Sequence, residues 1–587
     1  MLGNTKNTVR GIFSLAASVA IASTMFAQSP LADRQTIWIR AVNSQAHKPR
    51  KVEANGEMVL PTSPTTKNDD WIAALQKKLA RSESRWADAD ATETYQQLCR
   101  ACVTGNRAIP QARLIEPTVL FPLKFDVQAR ATQRHSIVGW QAGSYSLTTS
   151  THFTIASQAT AKQSNEVAKL CEQTFSIWQQ LFFSSWCKAE TLQQVIEDQQ
   201  ALSASNQPKF QIVVFRNREA YIKQLQQIEP NVAVSTGYFS PKLMAVFCYW
   251  DDATSVASLR HELTHQFFSQ ATGEETVSPE ELRSDFWIVE GLALYMESIQ
   301  ITNSGGFDIA TIGGWDATRL QPARYRRLHD ETWIPWDEFR RANNERFRTG
   351  AEIKHWYSQA AGLTHFWMDQ EPEKRQAFLD YAMQVYRGSP QAKSPIEAEN
   401  DEKLRIGYDQ FLLLPELKLS EHPPSAESKE LVLSRCPVSS QVLLDWPESK
   451  RTLDWLDLSF TKIDDRLFLQ SSELPSQKMW DVRRLNVEST RVTDASLPIF
   501  ARMTRLEELD LSRCDITDKG LEALRGHKML RTLWLTGNTG ITNEGLTILA
   551  SLPRLELTDI SETSITEDGW KNLVSKSPRL RRKKAVP

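Results

Sequence analysis

The residues best suited to chemistry are His261, Glu262, Leu263, Thr264 and His265, in that order. Two imidazoles four positions apart on an α-helix lie one turn apart on nearly the same face. Both can then reach one metal ion. Glu262 sits about 100° round the helix from His261, so its carboxylate stands beside the metal and not on it. From there it can take a proton from metal-activated water. With this His and Glu usage, chance produces the five-residue pattern in roughly one chain per hundred of this length.

Zinc needs a third protein ligand and an open position for water. Glu290 is the candidate, within the apolar run of Phe286, Trp287, Ile288, Val289 and Leu292. Ser278, Pro279 and Glu281 read as an N-cap, a first-turn proline and a capping-box acid, which puts Glu290 in the middle of a second helix. A carboxylate in such surroundings needs a partner, because an unpaired buried charge is costly. Zn²⁺ would be that partner. A salt bridge to an arginine, or a half-exposed helix face, are the bland alternatives. Glu297 lies two turns further along the same face and competes as a ligand.

These residues must be held by regular elements. Val256, Leu259, Leu263 and Phe267 fall at spacings of three and four and make one apolar stripe, from which the two histidines are absent. Upstream, Thr151 to Ser157 alternates as a strand does. Glu166 to Phe183 reads as a helix, Phe210 to Phe215 as a β-branched strand, Arg218 to Gln227 as a helix and Leu243 to Tyr249 as a strand. A helical half then starts near Ala253. Before this block, residues 28–147 carry no recognisable chemistry. There Trp71 to Cys102 looks helical and Leu120 to Val127 strand-like, and no residue argues that the region is a propeptide.

The motif at 261–265 and the Glu290, Gly291, Leu292, Ala293 run, 25 residues after His265, resemble the gluzincin zinc metallopeptidases, specifically the peptidase-MA-like group. The flanks are similar too: Thr151 to Ser157, the 210–215 strand with Tyr221, and Tyr357 to Phe366. The resemblance covers residues 149–390. The metzincin continuation would need Gly at 268 and His at 271, where this chain has Phe268 and Ala271. What the gluzincin resemblance implies is an α+β zincin-like domain with one Zn²⁺ on His261, His265 and Glu290. Glu262 would be general base and then acid. A tyrosine would hydrogen-bond the oxyanion, Tyr357 first and Tyr295 as runner-up. His355 and His365 are read as structural or exposed.

Beyond a polar, proline-containing stretch at 420–428 the chain repeats itself. Leu433, Leu458, Val487, Leu511, Leu535 and Ile560 recur at steps of 25, 29, 24, 24 and 25 residues. Cys436, Thr461, Thr490, Cys514, Asn538 and Thr563 each follow three residues later, as the buried Asn/Cys ladder of a leucine-rich repeat does. The array resembles an α/β leucine-rich repeat solenoid. Cys436 and Cys514 are therefore expected to be buried thiols, and of the remaining cysteines only Cys99 and Cys102 are spaced for a local disulfide.

Lys6 and Arg10 precede an uncharged run from Gly11 to Phe26 and small residues at Ala22 and Ala27, the layout of a secretory signal peptide or an uncleaved signal anchor. Secreted, periplasmic or cell-envelope location follows. With Lys+Arg 69 against Asp+Glu 71, nothing in the charge points to nucleic acid or to an anionic membrane. The organisation expected is a signal peptide at 1–27, an N-terminal region at 28–147, a gluzincin-like domain at 148–419, a linker at 420–428 and repeats at 429–587. The function expected is an exported zinc metallopeptidase whose repeats bind a protein partner or the peptide substrate. The main rival is a non-catalytic binding protein that acts through its repeats and keeps a relic peptidase domain. The retained Glu262 argues against a relic, which would be free to lose its base. A third reading is another metal-assisted hydrolysis, such as amide cleavage in a cell-wall peptide. The repeats, having their own core, are expected to be removable.

Overall fold

A computed structural model of the chain describes residues 34–40, 70–80, 86–105, 109–114, 126–128, 130–200, 202, 209–227, 229, 232–233, 235–250, 253–272, 284–304, 307–348, 352–388, 401–425, 427–446, 452–472 and 480–582. The signal peptide expected at 1–27 lies outside them. No helix among the described residues is long and apolar enough to cross a membrane.

Strand β1 (Gln35–Arg40) is followed by helices α1 (Asp70–Leu79) and α2 (Asp88–Thr104). The helical stretch expected from Trp71 to Cys102 is therefore two helices. Of the strand expected at Leu120 to Val127, only its last residues, in β2 (Asp126–Gln128), are described. Strands β3 (Ser146–Thr149), β4 (Phe153–Ser157), β5 (Phe210–Phe215), β6 (Gly237–Ser240) and β7 (Ala245–Tyr249) join β2 in one sheet of order β2-β3-β4-β5-β7-β6. Its centre, β4-β5-β7, is parallel, and both flanks are antiparallel. The centre carries the most apolar runs because it is covered on both faces. One cover is α3 (Ala161–Leu181), begun by a capping box between Thr160 and Gln163. Another is α4 (Arg218–Leu225), whose Tyr221 packs edge-on against Phe215 and Tyr249.

Helix α5 (Ala253–Thr272) lies beside α3, with Phe267 and Phe268 packed among Phe175, Trp178 and Phe182. Helix α6 (Phe286–Met296) starts at Asp285, a non-glycine residue at φ +57°. Its start is thus later than the capping box expected around Ser278 to Glu281, residues that lie outside the described ones. Strands β8 (Gln300–Ser304) and β9 (Phe307–Ile312) then form a three-stranded antiparallel sheet with β1. Gln35 donates to the Tyr295 hydroxyl, and Arg34 pairs with Asp316. The N-terminal region is thus woven into the domain at 148–419, and excising it as a propeptide would strip an edge strand from that sheet. Helices α7 (Leu320–Arg324), α8 (Ile353–Met368) and α9 (Pro372–Tyr386) follow, with a π-helical turn at Tyr325–His329 directly after α7.

The C-terminal part is a seven-stranded parallel sheet in sequence order, from β10 (Glu430–Val432) through β11 (Thr452–Asp457), β12 (Asp481–Asn486), β13 (Glu508–Asp510), β14 (Thr532–Trp534) and β15 (Leu557–Asp559) to β16 (Arg581–Arg582). Each repeat supplies one strand, and Leu433 with its equivalents is buried after each of the first six. The expected ladder bonds to backbone: Thr461 to the Leu458 carbonyl, Thr490 to Val487, Cys514 to Val487, and Asn538 to Leu511 and Leu535. A second ladder crosses the repeats. Asp465, Asp494 and Asp518 each accept from the backbone N–H and hydroxyl of a threonine one repeat on, Thr493, Thr517 and Thr542. All seven cysteines are free thiols, so Cys99 and Cys102 form no disulfide.

The two parts meet along a polar seam. Buried Arg324 donates to the carbonyls of Leu412, Trp315 and Val432, and Gln321 accepts from the Val432 N–H. His329 reaches Glu488 at 3.0 Å, and the ring of Tyr325 packs edge-on against Trp455. Trp315, Leu414 and Leu419 belong to the apolar core of the repeats. Cutting the chain at 428 would leave a buried guanidinium short of an acceptor, which argues against the expectation that the repeats are removable.

Candidate metal centre

Helix α5 presents its polar side to helix α6. The apolar stripe of Leu259, Leu263 and Phe267 is fully buried, while His261, Glu262 and His265 are half-buried at the rim. Glu290, in the middle of α6, is 4% exposed and points at them. Its Oε2 lies 3.3 Å from His261 Nε2 and its Oε1 4.0 Å from His265 Nε2. One ligand atom from each of the three residues lies within 4.8 Å of the others. Ligand bonds of about 2.0–2.1 Å in a tetrahedron put neighbouring donors about 3.3 Å apart, so the His261–Glu290 edge has the right length and the others are wider. Two imidazoles and one carboxylate are the donor set of a catalytic zinc with an open position. The residues fit the ion.

The expected rival ligand, Glu297, has a different place. Its Oε1 accepts a hydrogen bond from His261 Nδ1 at 2.9 Å, and its Oε2 accepts from Arg319 Nε at 2.6 Å. A carboxylate on the far nitrogen fixes the tautomer and ring orientation of a metal-binding histidine. Burial alone would lower the His261 pKa, but hydrogen bonds to Glu290 and Glu297 outweigh it and push the ring up to about 10. Burial would raise Glu297, but the charge of Arg319 and the bond to His261 hold it below the usual carboxylate range.

Glu262 points elsewhere, as its place on the helix requires. Its Oε2 accepts from the backbone N–H of Phe239 at 2.7 Å, on β6, one of the two edge strands of the sheet as described. This approach depends on Gly237, where a Cβ would lie 2.9 Å from Glu262 Cγ and 2.8 Å from Ser258 Oγ. Gly291, the residue after Glu290, has a similar duty: a Cβ there would meet Thr364 Oγ1 at 2.0 Å, so glycine lets α8 cross close to α6.

Tyr357 is half-buried on α8 with its ring edge-on to Phe347, and it is among the groups that act on Arg319, one step out from Glu297. Tyr295 is turned away, its hydroxyl donating to Asp369 at 2.8 Å inside a buried cluster with His365. His355 is half-buried in a separate cavity beside Trp333. Sequence reasoning missed Arg319 and Tyr386. Tyr386 stacks on Phe268, and its buried hydroxyl has no hydrogen-bond partner among the described residues. Burial first, and then the charge of Glu290, hold its pKa well above the ordinary value. Neither residue stands at a spacing that ties it to the histidines.

Residues 255–391 match a family described as "Protein of unknown function (DUF1570)", and residues 503–524 match the leucine-rich repeat family. The first match takes in His261, Glu262, His265, Glu290 and Tyr357. No curated protein matches the chain.

Proposed function

We propose that the chain is an exported zinc metallopeptidase with a gluzincin-like, zincin-type catalytic part and a repeat solenoid that engages protein. The observation that carries this reading is the division of labour on α5 and α6: three ligand atoms converge, while the Glu262 carboxylate is held apart from them by the Phe239 amide. When bound, zinc would supply Lewis-acid polarisation of the scissile carbonyl and acidify the attacking water. Glu262 takes the proton of that water and delivers it to the leaving amine nitrogen. Glu297 keeps His261 in the tautomer that offers Nε2. The rim strand β6 suits an extended peptide, which can add to a sheet edge through main-chain hydrogen bonds. Tyr357 is the donor to the developing oxyanion.

The match to the leucine-rich repeat family favours a protein-binding role for residues 429–587, alone or beside catalysis. Zinc per chain, measured by elemental mass spectrometry on residues 28–587, and turnover of fluorogenic casein separate the readings. One zinc with turnover that Glu262→Gln removes supports the peptidase. A folded protein that takes up no zinc makes the site a relic and leaves the repeats as the functional part.

A further inference from the structure

Helices α5 and α6 run antiparallel, since Glu297 meets His261 and Glu290 faces His265. Helix α9 packs across the end where α6 begins. The ring of Phe378 stacks on Trp287 with centroids 6.1 Å apart, and the Tyr381 hydroxyl donates to Asp285 at 2.9 Å. Tyr386 is the last residue of α9, and its ring stacks on Phe268 with centroids 4.6 Å and planes 15° apart. Phe268 follows His265 by three residues, about 4.5 Å along α5. Helix α9 is thereby fixed against both helices that carry the ligand atoms.

The Tyr386 hydroxyl is an exception in this core. Other buried tyrosines share a hydrogen bond: Tyr295 with Asp369, Tyr381 with Asp285, Tyr221 with Ser235. Tyr386 is 3% exposed, and its hydroxyl has no hydrogen-bond partner among the described residues. An unbonded buried hydroxyl costs free energy where a phenylalanine would cost none. Tyr408, on the helix Asp401–Leu412, is the other such tyrosine among the described residues. Its hydroxyl is pressed against Gly362, where a Cβ would stand 1.8 Å away. The charges that act on Tyr408 are Arg327, Asp409 and Arg324, none of them at the metal centre. The charge that acts on Tyr386 is Glu290. Burial first, and then that charge, keep its phenol protonated well past the ordinary range, so it remains a donor.

A carboxylate that binds a metal through one oxygen keeps a second oxygen for a hydrogen bond, and such outer bonds orient the ligand. Glu297 has the corresponding place behind His261. We infer that Tyr386 is a positioning residue behind Glu290, its hydroxyl donating to the Glu290 oxygen that is not on the metal. The two Glu290 oxygens lie 3.3 and 4.0 Å from the imidazoles; with one of them on zinc, the other can turn to Tyr386. So deeply buried a hydroxyl does not reach a substrate, and it acts through Glu290. The inference rests on the zinc reading of the site and not on peptide cleavage.

The test compares full-length wild type, Tyr386→Phe and Tyr408→Phe. Phenylalanine at 386 keeps the ring on Phe268 and removes only the hydroxyl. Zinc affinity is measured by competition with a chromophoric chelator at pH 7.4. Thermal unfolding is followed in excess EDTA and again at a fixed zinc concentration. Tyr386→Phe should bind zinc about tenfold more weakly, with one zinc still taken up at saturation. In EDTA its melting temperature should match or exceed that of wild type, because an unbonded buried hydroxyl is gone. Its rise on adding zinc should then be smaller than that of wild type. Tyr408→Phe should keep the zinc affinity of wild type. Unchanged affinity in Tyr386→Phe, with wild type loading one zinc, overturns the inference and leaves the zinc site standing. A lower melting temperature of Tyr386→Phe in EDTA gives the hydroxyl a bond within the fold and overturns it likewise, as does an equal loss of affinity in Tyr408→Phe. A folded wild type that takes up no zinc overturns the zinc reading itself, and the inference with it.

Discussion

Glu297 separates a three-ligand centre with a buttress from a centre with two interchangeable carboxylates. It is 6% exposed in its side chain, with one oxygen on His261 Nδ1 at 2.9 Å and the other on Arg319 at 2.6 Å. Glu297→Gln keeps an acceptor for His261 but removes the charge and turns the geometry against Arg319. Glu297→Ala removes both bonds. Loss of a ligand's outer partner costs about 10–100-fold in metal affinity, or about 1.4–2.7 kcal/mol. Arg319, half exposed, can turn to water, so the cost falls on the metal more than on folding. Zinc affinity, measured by competition with a chromophoric chelator at pH 7.4, should fall about tenfold in Glu297→Gln and about a hundredfold in Glu297→Ala, with one zinc still bound at saturation. Glu290→Ala, which removes a ligand, should fail to saturate. Retention of zinc by Glu290→Ala, with its loss from Glu297→Ala, would refute the assignment and exchange the two roles.

Glu262→Gln should lower turnover by about 10²–10⁴ while leaving zinc stoichiometry unchanged, and equal activity would remove Glu262 from the mechanism. At the seam, burial lowers the His329 pKa, but hydrogen bonds to Asp330 and Glu488 and the charge of Asp457 outweigh it and bring it from 6.5 to about 10. A raised histidine contributes fully below 6.5 and loses that contribution as pH rises through about 10, so the melting temperature should drop from pH 7 to 10 by more in wild type than in His329→Gln. Parallel profiles would show that the imidazolium does not clasp the two parts. Glu562, exposed and at φ +55°, should gain up to about 1 kcal/mol when replaced by glycine, read by chemical denaturation, unless its weak contact with Arg513 at 3.8 Å outweighs the strain. A chain ending at 427 should melt lower than the full chain or aggregate, because Arg324 and Gln321 lose Val432; an undisturbed, zinc-binding product would show two independent folding units.

What was legible in the sequence was local. Strand β5 coincides with Phe210 to Phe215 because a β-branched run between breakers has one stable use. The helix around His261 and the burial of Glu290 follow from 3.6-residue periodicity. The repeats follow from their spacing. What was not legible depends on contacts distant in sequence. Arg319 meets Glu297 across β8 and β9, and β1 finds β9 more than two hundred residues away. One backbone feature was hidden for another reason. Arg435, Phe460, Ser489, Arg513, Gly537 and Glu562 all turn with positive φ, at the same place in each repeat. Only one is glycine, so the usual signal of such a turn was nearly absent.

The seam changes what the repeats can be asked to do. The helical segment from Pro322 to His329 already occupies the polar face of β10 to β12, through Tyr325 on Trp455 and His329 on Glu488. An array whose only task was to hold an external partner would gain nothing by covering part of that face with its own chain. Covering it does place β13 and β14 at the edge of a cavity that Pro322, Tyr325 and Arg326 also line. The arrangement suits a sheet packed firmly against the preceding part better than one joined to it only by a linker.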